Sequence, residues 1–141
     1  MLTVLFASAL LVALTTLIHY EVLRALNAGL PTVRIPGRAK LLLVMFATFA
    51  AHTVEIAVYG LALYVLVVHF GLGGFAGPAS FSLTSCLYFS AETYTSLGFG
   101  DITPTGPIRL LAGTEALNGL LLIGWSASYA YIAMERFWKT D

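Results

Sequence analysis

The residues able to do chemistry form two sets. The first is ionisable and lies in apolar surroundings. His52 and Glu55, three positions apart and therefore on one helical face, interrupt the run from Leu41 to Phe70. Glu115 precedes another apolar run, and His19 and Glu21 follow the first. Inside a bilayer such groups are costly and turn toward protein or water. Three uses are open to them: a hydrogen-bond network that docks helices, a proton sensor, or a metal site. A helical His-x-x-Glu pair supplies two metal ligands, and the sequence names no third. His52 lies about 12 residues above Lys40, roughly 18 Å at helical rise, whereas His19 and Glu21 are placed at the inner end of their run. No His19–His52 contact is expected. Glu55 is expected to find a partner at mid-membrane in His52, or in a hydroxyl or backbone group of an adjacent helix.

The second set works through the backbone. In "TSLGFGD", residues 95 to 101, Gly98-Phe99-Gly100 breaks an apolar stretch and Asp101 follows as a bare carboxylate, nine residues after Glu92. Glycines permit the angles that aim successive carbonyls the same way. Rings of such carbonyls can replace a cation's hydration shell. The single cysteine, Cys86, excludes an internal disulfide and reads as a small apolar filler. No nucleophile-and-base arrangement is visible, so no enzyme is expected.

The elements that position these residues follow from composition. Of 141 residues 59% are hydrophobic and 10% charged, with a mean hydropathy of +0.89. An ordinary globular domain is about 25% charged, so this chain is read as a membrane protein. Net charge is zero, and no basic face suggests a nucleic-acid partner. Met1 to Ile18 and Ala116 to Met134 are near the ~20 apolar residues that cross a bilayer, and Leu41 to Phe70 is long enough to tilt or project beyond it. Three spanning helices are predicted. Arg24, Arg34, Arg38 and Lys40 crowd the first connection, and Arg136 and Lys139 mark the far end. The positive-inside rule then places both in the cytoplasm and the N-terminus outside, in a multi-pass protein of the cell membrane. Tyr20 and Trp138 fit interfacial anchors on the cytoplasmic side.

Between the last two spans, Gly71 to Pro78 reads as an irregular turn. Ser80 to Tyr94 reads as a short helix, capped by Ser80 or Ser82 and too short to cross. A half-helix followed by an extended Gly-x-Gly strand suits a re-entrant loop lining water.

"SAETYTSLGFGDITP" resembles the pore loop of the potassium-channel family, whose filter reads T-V-G-Y-G-D; Ser96, Leu97, Gly98, Phe99, Gly100 and Asp101 stand at those six positions. The resemblance spans about 100 residues and leaves out the first helix. It implies an all-α membrane protein with three transmembrane helices and a re-entrant pore helix and filter loop between the second and third. In residue ranges, 1–29 is an extra helix and 38–138 a pore domain with outer helix 40–70, pore helix 80–94, filter 95–101 and inner helix 107–138. One loop per chain implies a homotetramer, with K+ as permeant ion, no cofactor, and membrane lipids around it.

The resemblance assigns K+ binding to Thr95, Ser96, Leu97, Gly98, Phe99 and Gly100. It gives Glu92 and Asp101 a supporting role behind the filter, where two close carboxyls would share a proton; the alternative is an Asp101 facing water and a Glu92 bonded to backbone. Gly119, with Gly124, is a hinge candidate in the inner helix, close helix packing being the alternative. Phe99 lacks the hydroxyl of the usual Tyr, Ser96 lacks a methyl, and Leu97 is bulkier than Val. Potassium-selective conduction is the expected function, a nonselective or sodium-permeable cation channel the alternative. A metal-binding membrane protein or enzyme using His52, Glu55 and Glu115 is a more remote one.

Overall fold

A computed structural model describes residues 1–78 and 80–138. The order is α1 (Leu2–Gly29), α2 (Gly37–Phe70), β1 (Gly74–Ala76), α3 (Leu83–Tyr94), β2 (Thr103–Thr105) and α4 (Ile108–Trp138). Three helices, α1, α2 and α4, are long and apolar enough to cross a membrane; α3, at 12 residues, is not. The chain is an all-α membrane protein apart from one short strand pair. Lys139 and the Trp138 side chain, cited above for the inner end, lie outside the described residues.

The extra helix docks on its own chain. In α1 the buried positions are Val4, Ser8, Leu11, Thr15, His19, Leu23 and Leu26; in α2 they include Val44, Thr48, Ala51, Glu55, Tyr59, Leu63 and Leu66. Both stripes step by threes and fours, the spacing that keeps one helical face turned to a partner. The two helices run antiparallel through a short connection, and α4 packs against both. One apolar cluster, with Val4, Leu11, Leu63, Phe89, Ile108 and Leu111, lies toward the loop end. A second, with Leu23, Leu26, Leu30, Val44, Ala133 and Phe137, lies at the other end. There Lys40 Nζ sits 4.7 Å from the centroid of the Phe137 ring, so the basic connection and the end of α4 share one side.

α3 begins where Ser82, in extended conformation (φ −153°, ψ 166°), accepts a hydrogen bond from Ser85 N–H. That cap resolves the choice between Ser80 and Ser82. The stretch expected to be irregular, Gly71 to Pro78, instead contains β1, paired antiparallel with β2 through Gly74–Thr105, Phe75–Pro104 and Ala76–Thr103. Phe75 drives the pairing by packing on Phe81 and Phe89, with ring centroids 5.3 and 4.8 Å away. The strand pair closes the segment carrying α3 and the 95–101 loop at both ends.

Candidate functional site

Residues 95–101 leave α3 and turn back along it. Ser96 N–H donates to Thr93 O (3.0 Å), and Leu97 and Gly98 N–H both reach Glu92 O (2.9 and 3.4 Å). Ser96, Gly98 and Gly100 have positive φ (58°, 53° and 80°), while Leu97 and Phe99 do not. Positive φ thus recurs at every second residue of the loop. Glycine adopts the left-handed region at little cost, but Ser96 is an outlier held there by its surroundings. All of residues 95–101 are exposed, Leu97 at 60% and Phe99 at 67%. A Cβ at Gly98 or Gly100 would meet nothing within 4 Å, so only backbone geometry demands glycine there.

Glu92 is buried, and its Oε1 accepts from Phe99 N–H at 3.2 Å. Asp101 is exposed, accepting from Ile102 N–H (3.1 Å) and from the Tyr88 hydroxyl (3.2 and 3.3 Å). Each carboxyl thus has a donor of its own. Tyr88, which the sequence did not single out, donates to Asp101. Partial burial, then hydrogen bonds to Glu92 and Asp101 and their charges, push its phenol up to about 12. It therefore stays a donor across the range in which carboxyls titrate.

The ionisable set converges behind the loop. His19 Nδ1 lies 2.9 Å from Glu55 Oε1, and His52 Nδ1 lies 3.1 Å from Glu55 Oε2. The Tyr94 hydroxyl donates to Glu55 Oε2 and is 2.9 Å from His52 Nδ1. Ser126 Oγ is 3.0 Å from Nε2 of each histidine, and the two rings are 5.0 Å apart. The expectation that His19 and His52 do not meet is therefore corrected. α1 runs to Gly29, as expected for the extra helix 1–29, so His19 lies about 15 Å short of its inner end rather than at it. His19 and Glu55 are fully buried, where an unpaired carboxylate would be prohibitively expensive. Partners on α1 (His19), on α3 (Tyr94) and one turn away on α2 itself (His52) offset that cost. The expectation of a mid-membrane hydroxyl partner for Glu55 is met by Tyr94, the last residue of α3.

The remaining sites lie nearby. Glu115 is buried with Oε1 against the Ser90 hydroxyl, while Oε2 has no hydrogen-bond partner among the described residues. It does not join the His52–Glu55 cluster. Glu21 pairs instead with Arg24 at the surface. Asn118 Nδ2 donates to Thr15 Oγ1 (2.8 Å) and Tyr59 Oη (3.1 Å), a second polar tie across α1, α2 and α4. A Cβ on Gly119 would collide with the Tyr94 carbonyl, whereas Gly124 has open space around it. Helix α4 runs unbroken through both, and close approach to the pore helix accounts for the glycine at 119. Ser8, Thr15 and His19 on one face of α1 were the signal for this docking surface; Tyr94 and Ser126 carried none.

A family model described as "Ion channel" matches residues 41–136. Among curated proteins, the inward rectifier potassium channel Kirbac3.1 of Paramagnetospirillum magnetotacticum is 37% identical over 62 residues, 43% of this chain and 20% of that one. The chain thus spans about a fifth of that relative's length. No solved structure matches. With the 95–101 loop lying between α2 and α4 inside the matched range, the chain belongs to the ion-channel family.

Proposed function

We propose that the chain is one subunit of a homotetrameric, potassium-selective channel conducting passively down the ion's electrochemical gradient. The observation that carries this reading is the alternation of positive φ at Ser96, Gly98 and Gly100 on a loop that one chain leaves bare. Four copies about an axis would turn those carbonyls into successive oxygen rings able to replace potassium's water. Thr95 to Gly100 are the ion-binding residues, Glu92 and Asp101 hold the loop from behind, and K+ is the only ion required. The C-terminal end of α3 directs partial negative charge toward the region below the filter and favours a cation there. Arg24, Arg34, Arg38, Lys40 and Arg136 belong to the end away from the loop, supporting a cytoplasmic C-terminus and an external N-terminus. Gly124 is the freer of the two hinge candidates. On this reading the protein catalyses no reaction.

The test is a potassium flux assay in liposomes, with mass measurement of the protein in mild detergent. A tetramer that releases potassium is expected. A monomer or dimer without flux, under conditions where tetrameric channels survive, overturns the reading. Flux that sodium carries equally well favours the nonselective alternative.

A further inference from the structure

The conducting loop makes no use of the nitrogens of His19 and His52, yet the fold spends buried space gathering them. One ligand atom each from His19, His52 and Glu55 lies within 4.8 Å of the others. Both Nδ1 atoms face the Glu55 carboxylate, and both Nε2 atoms face Ser126 Oγ. We propose that His19, His52 and Glu55 form a binding site for one divalent first-row transition-metal ion of the zinc type, within a single chain and independent of the pore reading.

Three features argue for it. Two imidazoles and a carboxylate are a donor set suited to zinc and its neighbours, whereas magnesium and calcium require more oxygen ligands than this site holds. The outer groups also match a loaded site. A histidine that binds metal through one ring nitrogen carries hydrogen on the other, usually donated to a second group. With both Nδ1 atoms on the ion, both Nε2–H groups point at Ser126 Oγ, whose two lone pairs accept them. Without an ion, Ser126 Oγ serves both rings only by donating to one Nε2 and accepting from the other, which requires the two histidines to differ in protonation at Nε2. The Tyr94 hydroxyl beside Glu55 Oε2 and His52 Nδ1 is the nearest additional ligand.

There is also a way in. His19 and Glu55 are fully buried, but the His52 side chain is 18% exposed. It borders, with Ser126, a cavity of about 250 Å³ between α2 and α4, also lined by Thr48, Phe49 and Ile123. An ion entering there meets His52 first. Once bound, it clamps α1 to α2 beside the residue from which the 95–101 loop departs.

Cobalt(II) is the probe, because its visible absorption reports nitrogen and oxygen ligation. Chelator-treated protein, titrated with Co2+ and then desalted, is expected to retain one ion per chain with a tetrahedral-type visible spectrum. Zn2+ should displace it and excess Mg2+ should not. His69→Ala, at the exposed third histidine, should leave binding unchanged. His52→Ala, at the cavity side, should abolish the spectrum together with any metal-dependent rise in thermal unfolding temperature. Ser126→Ala should weaken binding about 10- to 100-fold, the usual cost of losing an outer partner. Wild-type protein that binds no Co2+ overturns the proposal. So does a His52→Ala or His19→Gln protein that binds it as wild type does.

Discussion

Thr95 to Gly100 present backbone carbonyls on a loop that one chain leaves bare, whereas His19, His52, Glu55, Tyr94 and Ser126 close on one another inside a single chain. On the proposed reading the first region gains its oxygen rings only from other copies. The second is complete without them. Tyr94 belongs to both: its hydroxyl bonds Glu55, its carbonyl packs on Gly119, and the next residue begins the filter. Conduction and support are thus separate constructions joined at one residue. Damage to each should have a different signature.

The largest effect is expected at Gly98. A Cβ there has space but opposes a φ of +53°, so Gly98→Ala should abolish potassium flux while the protein keeps its helical content and assembly. Flux at the wild-type rate from that mutant would remove the filter assignment. Glu55→Leu comes next and should act on the other region. Taking one partner from a buried charged cluster typically costs about 3–5 kcal/mol, read as a fall in thermal unfolding temperature. Glu55→Gln keeps much of the hydrogen bonding and should conduct normally. If both substitutions behave alike, the cluster is not what holds α1 in place.

Tyr94→Phe removes a single hydroxyl between the two regions. A buried hydrogen bond within a membrane is worth about 1 kcal/mol, so a modest loss of stability is expected, with selectivity unchanged in a flux competition between potassium and sodium. A change of selectivity would mean that the cluster shapes the filter itself. Tyr88→Phe should have the smallest effect. It frees Asp101 from one donor at the exposed face, and single-channel records should show altered open times with unchanged selectivity and melting. Unaltered kinetics would make the Tyr88–Asp101 bond incidental.

The two regions also differed in how far they could be read from sequence. Gly98-Phe99-Gly100-Asp101 is contiguous, and its glycines mark backbone angles directly. The three apolar runs and the short α3 were visible for the same local reason. Ser96 was not, because nothing in a serine signals positive φ. The His19–Glu55 contact spans 36 positions and depends on the depth of His19, which was placed at the inner end although the helix was expected to run to residue 29. Within the Leu2–Gly29 helix, Glu21 pairs with Arg24 at the surface while His19 is buried. The β1–β2 pairing escaped notice since its short strands are selected by Phe75 packing on α3, a tertiary effect.

The role proposed for the 95–100 carbonyls is to select potassium. The most direct measurement is the reversal potential of reconstituted protein with potassium on one side and sodium on the other. A potassium-selective pore gives a current that reverses far from zero, toward the potassium equilibrium potential, and that is absent in Gly98→Ala. A current that reverses near zero under the same gradient would contradict it.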